Sequence, residues 1–387
     1  MKIPQTNKKY RILIRSVFVI CCFILSFSAS LLKGQKEETI KAAKVLPGTI
    51  KDAGTMPVYG HWENFTTANG LPSDKTYTIR IVGDSVIAGT HEGLAVYNKG
   101  KWHTYTTKDG LPHNGIVSVD YSKTTGDIWI GTLGGLSRWS GGKFENFNQL
   151  NSGLPNDLVY CVYCDGKDIW TATGGGAGHY DSYSKQWEIF TEQNAPMHEP
   201  WTYGVSTGGG KAFIAAWGGG VIEYNLATKH FRDYTDPDGF MEIDLQPDDG
   251  VVHDITTATS YSDGILWVST YFGMSWYNGK NWKGYFDDDS GLASNFINFL
   301  RAVGQVVYIC SDHGLSTFNG DTWVTYRKDE NDPAGKVIIT KGKDVKNMKE
   351  IRQSPSVSQS FIIGVDAKGD DVWVATSKGV SHGVREK

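Results

Sequence analysis

From Val86 onward, short runs of consecutively apolar residues recur along the chain, each broken by a glycine turn and followed by a second short run. VIAGTHEGLAVY starts at Val86, IWIGTLGGLSRW at Ile128, IWTATGGGAGHY at Ile169 and AFIAAWGGGVIEY at Ala212. LWVSTYFGMSWY at Leu266, VVYICSDHGLSTF at Val306 and VWVATSKGVSHG at Val372 complete the series. Runs rich in β-branched and aromatic residues on either side of a Gly turn predict β-hairpins. Because the runs are apolar at successive positions, both faces of each predicted sheet need cover.

A second motif lies between these hairpins. WENFTTANGLP at Trp62 returns as WHTYTTKDGLP at Trp102 and FENFNQLNSGLP at Phe144, then more loosely at Trp187, Phe231, Trp282 and Trp323. The starts are 40, 42, 43, 44, 51 and 41 residues apart. Every copy has a second aromatic three residues after the first: Phe65, Tyr105, Phe147, Phe190, Tyr234, Tyr285 and Tyr326. Thr, Gly and Pro around the pair disfavour a helix, so the pair reads as a strand.

One period therefore holds four strands: A after GLP (Ile116–Asp120 is one), B and C of the hairpin, and D at the aromatic pair. A four-stranded sheet that needs cover on both faces finds it in identical neighbours arranged in a ring. The sequence predicts an all-β, seven-bladed β-propeller of four-stranded antiparallel blades over residues 58–384. The first D motif has no hairpin before it and the last hairpin has no D motif after it. The N-terminal strand, about residues 58–66, is thus expected to close the ring beside the C-terminal blade. Each D-strand aromatic pair should send one ring into each adjacent seam.

Composition agrees with many tight turns around an aromatic interior: 46 glycines in 387 residues and 12% aromatics. Residues 1–33 combine scattered bases with an apolar run from Ser16 to Leu32 and small residues near its end, the pattern of a signal peptide or an uncleaved N-terminal membrane anchor. Residues 34–57 read as a linker. The body is accordingly expected in the periplasm or outside the cell. Residues 1–34 carry six bases and no acid, so without them the formal net charge falls from −4 to −10, which argues against a nucleic-acid partner. Cys161, Cys164 and Cys310 are too few for a disulfide scaffold. On a strand, Cys161 and Cys164 would face opposite ways as small buried side chains.

The W-x-x-[FY]-T-T…G-L-P element followed by I-W-[IV]-G-T-x-x-G-L resembles the two-component regulator propeller repeat over residues 58–384. That resemblance implies an extracytoplasmic sensor, often of carbohydrate, belonging to bacterial hybrid histidine kinases or occurring as a separate exported protein. No kinase, receiver or DNA-binding segment follows the last hairpin, so signalling by this chain alone is not expected.

With strand A innermost, the D–A connections and the B–C turns surround one mouth of the central channel. Candidate ligand-binding residues there are His91, Glu92, His113, Asn114, Trp201, Trp217, Tyr271, Asp312 and His313. Segments longer than the repeat, about 192–203, 236–250 and 328–359, are expected on the same face. The second holds six acids and no base, with an Asp236-x-Asp238 beginning; it lacks the full spacing of a calcium loop and reads as a solvated turn, calcium being the alternative to no cofactor. Gly204–Gly208 matches G-x-S-x-G outside any strand-to-helix elbow, and the histidines show no zinc spacing. The residues favour an exported, non-catalytic recognition module for a glycan, a peptide or a cell-envelope protein. The alternative is a propeller hydrolase or lyase with a His/carboxylate pair at the mouth, to be sought at His91–Glu92, His253–Asp254 and Asp312–His313.

Overall fold

A computed structural model describes residues 56–236, 250–328 and 334–386. The predicted leader, nearly all of the 34–57 linker and most of the acidic 236–250 segment lie outside the described residues.

The four strands of each repeat pair antiparallel in chain order, giving seven sheets. Their A strands begin at Thr76, Ile116, Val159, Thr202, Thr256, Ile297 and Ile362, which number the blades one to seven. Each A strand packs against the A strand of the next blade, and that of blade seven packs against blade one, so the ring is closed with A innermost. Buried apolar residues fall into seven clusters, and each cluster combines the facing sides of two adjacent blades. The hydrophobic core is therefore distributed over the seams.

The aromatic pair builds every seam in the same way. The second aromatic of one D strand meets the first aromatic of the next edge to face: Phe65–Trp102, Tyr105–Phe144, Phe147–Trp187, Phe190–Phe231, Tyr234–Trp282, Tyr285–Trp323 and Tyr326–Trp62. Centroid separations span 5.1 to 6.3 Å and interplanar angles 62° to 83°. In this geometry the positive ring edge meets the negative face, adding about 1 kcal/mol per pair beyond apolar burial.

Glycine at the start of strand C has one cause throughout. At Gly379 φ is +103° and an added Cβ would lie 2.1 Å from the Phe65 carbonyl oxygen; at Gly220 the corresponding approach, to Tyr234, is 2.0 Å. Any side chain would collide with the end of strand D. The Thr ending strand B stabilises the same turn: Thr376 Oγ1 donates to the Gly379 carbonyl at 2.9 Å and accepts from the Lys378 N–H at 3.0 Å.

Strand Tyr59–Phe65 pairs antiparallel with Gly379–Arg385 and supplies the D strand of blade seven, as the sequence predicts. The Tyr59 N–H donates to Tyr326 Oη at 2.9 Å, and the Tyr59 and Tyr308 hydroxyls are 2.7 Å apart, which ties the closing strand to blade six.

Every blade has the four strands of the repeat, blade six adds to them, and one expectation needs correction. Blade six has six strands, because Gly335–Lys341 and Lys349–Gln353 continue its sheet outward. The 328–359 segment is thus largely a hairpin on the rim instead of an enlarged loop at the mouth. Its sequence KVIITK carries the β-branched residues of a strand. The hairpin buttresses the closure: Gln353 Oε1 accepts from the Trp62 indole at 2.9 Å, Gln353 Nε2 donates to the Tyr59 carbonyl at 2.8 Å, and Val337 and Ile339 join the cluster around Tyr59 and Trp62.

Deleting residues 58–66 is expected to abolish the cooperative calorimetric transition, since blade seven loses its outer strand and the seams on both its sides lose an aromatic, Trp62 in one and Phe65 in the other; an unchanged transition would refute the closure. The single change Trp62→Ala should lower unfolding free energy by about 3–5 kcal/mol in chemical denaturation.

Candidate functional site at the channel mouth

In all seven blades the first N–H of the B–C turn donates to the carbonyl just before strand A, from His91 to Lys75 through Ser377 to Phe361. The B–C turns and the D–A connections are thereby fastened together on one face.

Much of that face is framework. In the D–A connections, Thr66 and Thr106 cap short 3₁₀ turns that end at Gly70 and Gly110. Asn114 Oδ1 accepts from the Thr107 N–H at 2.9 Å, as Asp74, Asp157, Asp254 and Asn295 do from the equivalent residues. His113 Nδ1 accepts from the Gly115 N–H at 2.8 Å, a part that Ser73, Asn156, His253 and Ser294 take elsewhere. His113 and Asn114 therefore brace their loop, and what varies between blades at these positions is the acceptor group supplied.

Chemical variety lies instead at a β-bulge that repeats in every A strand. The second residue of the strand is skipped in the A–B register: Tyr77, Val117, Tyr160, Tyr203, Thr257, Asn298 and Ile363. A bulge frees a side chain from the pleat and re-aims it. Here several turn toward the next blade: Thr257 Oγ1 donates to the Ile297 carbonyl at 2.9 Å, Asn298 Nδ2 to the Ile362 carbonyl at 2.9 Å, and the rings of Tyr160 and Tyr203 are 5.0 Å apart.

Bulge residues, B–C turn residues and Phe296 of a D–A connection together form a continuous aromatic arc over blades three to six. Tyr203 lies 5.7 Å from Trp217, Trp217 lies 5.8 Å edge-on from Tyr271, and Tyr271 stacks on Phe296 at 4.1 Å. Beside it Phe272 stacks on His253 at 4.1 Å, and burial holds the His253 imidazole below its ordinary pKa. Phe272 and Phe296 are both 37% exposed, so the arc offers ring surface to solvent.

Opposite the arc and deeper in the channel is a charged group from the fifth residue of four A strands: Arg80, Asp120, Arg301 and Asp366. Arg80 Nε is 2.6 Å from Asp120 Oδ1 and its Nη1 is 2.8 Å from Asp366 Oδ2. Burial opposes the charge on Arg80, but the two carboxylates outweigh it and raise the pKa. The carboxylates also accept from the backbone, Asp120 from the Cys164 N–H and Asp366 from the Ile81 N–H, each at 2.8 Å. Arg301 stands apart, its Nε 3.9 Å from Asp366 Oδ1.

Of the sequence candidates, Trp217 and Tyr271 belong to the arc. The Trp201 carbonyl holds the Trp217 turn. His91 lies on blade one, 3.1 Å from the Tyr77 hydroxyl and 3.7 Å from Glu92. Asp312 and His313 form a 2.8 Å pair on blade six. Both His–carboxylate pairs are sequence neighbours on exposed turns, so their proximity follows from adjacency rather than from blades converging; His253 and Asp254 each serve their own loop. Among the described residues no three His, Cys, Asp or Glu side chains group as metal ligands. Cys161 and Cys164 are free thiols, and burial pushes the Cys161 thiol up to about 11. Sequence reasoning passed over Tyr77, Tyr160, Tyr203, Phe296 and the charged group; Tyr at the second position of strand A was the visible signal.

The closed ring of sheets defines a seven-bladed β-propeller. No protein-family model and no curated protein matches the chain. Solved structures do match: the extracellular domain of a hybrid two component system from B. thetaiotaomicron, with TM-score 0.61 and 15% identity over 84% of this chain and 42% of that one. The extracellular domain of a one component system from the same organism gives TM-score 0.59 and 16% identity over 84% and 40%. Virginiamycin B lyase from Staphylococcus aureus gives TM-score 0.58 and 12% identity over 84% and 99%. The chain spans about two fifths of the two extracellular domains, and the likeness in each case is one of fold.

The hydrogen bond to Asp312 raises the His313 pKa despite some desolvation. A raised folded pKa adds stability that is present below the unfolded value and is lost as pH climbs through the folded value. Asp312→Asn is expected to shift the His313 imidazole NMR titration downward, and stability should differ between the two proteins at acidic pH and converge above the His range. An unshifted titration would contradict the pair.

Proposed function

We propose that this chain is an exported, non-catalytic recognition propeller that binds a glycan along the aromatic arc of its channel mouth and gives sensory input to envelope signalling. The observation that carries this reading is the arc itself, in which Tyr160, Tyr203, Trp217, Tyr271 and Phe296 follow one another over four blades. Ring faces next to bulge-positioned amide and hydroxyl groups suit a ligand whose faces are apolar and whose edges carry hydroxyls, as a sugar ring does. The extracellular setting of the two B. thetaiotaomicron domains and the leader-like pattern of residues 1–33 support a periplasmic or extracellular location. Among the described residues no helix is long and apolar enough to cross a membrane. A lyase of the same fold raises the catalytic alternative. Against it stands that, among the described residues, each His–carboxylate pair lies within a single blade.

A glycan array followed by calorimetric titration is the test. Tyr271→Ala and Trp217→Ala are each expected to weaken binding by about tenfold or more, the effect of removing one stacked aromatic surface, with the melting transition kept. Binding of a peptide or an envelope protein and of no glycan would overturn the ligand class, and turnover of a bound sugar would overturn the non-catalytic reading.

A further inference from the structure

Among the described residues, Arg301 is the less engaged of the two cations in the charged group. Both carboxylates are committed to Arg80 and to backbone N–H groups. Arg301 Nε is buried with no hydrogen-bond partner among the described residues, and its side chain keeps 18% exposure. Its approaches are the 3.9 Å ion pair with Asp366 and the Phe299 ring, 5.7 Å from the guanidinium carbon. A guanidinium carries five donors in a planar fork that fits a carboxylate, and leaving them unsatisfied in a part-buried site is unfavourable. Arg301 supplies the second of two cations against two anions, but because Arg80 makes the close contacts to both carboxylates, the Arg301 guanidinium stays only loosely engaged on the blade-six wall.

The position matches the arc. Arg301 is three residues beyond the bulged Asn298 on the same strand, about 10 Å at ~3.3 Å per residue, and Phe296, the last ring of the arc, precedes that strand. Blade six thus carries an aromatic, an amide and a guanidinium in succession from the mouth inward.

Building on the glycan reading above, we propose that Arg301 is an anion site that receives the carboxylate of an acidic sugar, a uronic acid, entering the channel past the aromatic arc. The bond is a charge-assisted, fork-like pair with Arg301 as donor, and it selects acidic over neutral sugars.

The test titrates the full chain with galacturonate, glucuronate and mannuronate oligosaccharides and with the same oligosaccharides after reduction of the carboxyl groups. At least one acidic form is expected to bind about tenfold or more tightly than its reduced counterpart, with the preference falling at high salt. Arg301→Gln should bring the two forms to within about twofold while its melting transition remains cooperative, and Arg301→Lys should keep part of the preference. Equal binding of acidic and reduced forms to the wild-type chain would overturn this inference and leave the glycan reading intact. So would an acid preference that survives in Arg301→Gln. Binding of neither form, with a glycan array equally blank, would overturn the glycan reading itself.

Discussion

The edge-to-face contact between one blade's second D-strand aromatic and the next blade's first is the interaction on which the molecule depends. It occurs at all seven seams, including the one between Tyr326 and Trp62 that joins the two ends of the chain. A blade has no interior of its own: its apolar faces are covered only when both neighbours are present, as the division of the core into seam clusters shows. Stability is therefore a nearest-neighbour property, and closure turns a stack with two open ends into a ring with none. That is why the closing strand is held by more than its ladder, with Tyr59 bonded to Tyr326 and Tyr308 and with Gln353 on Trp62.

The fold was legible because the seam leaves a sequence trace. Two aromatics three residues apart on a strand must face opposite sides, and a recurrence near 40 residues means one such strand per blade. The Gly at the start of strand C was equally visible, since nothing else clears the strand-D carbonyl. What escaped is what has no repeating residue. The strand-A bulge is a shift of backbone register whose residue is Tyr in three blades and Val117, Thr257, Asn298 and Ile363 in the others, so no one side chain marks it. The rim hairpin of blade six was read as loop because it exceeded the repeat, although Val337, Ile338 and Ile339 have the pattern of a strand. The charged group is assembled from A strands of four blades, and no spacing along the chain reveals that Arg80 lies between Asp120 and Asp366.

Variation among repeats does not by itself separate a site from a brace. His113 and Asn114 differ from their counterparts in other blades, yet each supplies one acceptor that the loop requires, and Ser, Asn, Asp and His all do so. Such positions vary within a fixed physical role. At the bulge the substitutions run from Tyr to Val to Asn, which no single role accommodates. A candidate binding surface is better sought where chemistry changes than where letters change.

The channel has two sectors of unlike character, aromatic at the mouth on blades three to six and charged deeper in on blades six, seven, one and two. They meet on blade six, where Phe296, Asn298 and Arg301 follow one another inward. The same blade carries the extra hairpin and packs against the closing strand, so its position is fixed from outside as well as by the ring. A ligand spanning both sectors would meet groups held by strands and short braced turns, which keeps the ordering penalty of binding low. The architecture thus ties ring closure to the mouth: the contacts that hold Trp62 and Tyr59 in place also hold blade six, and through it the junction between aromatic and charged surfaces.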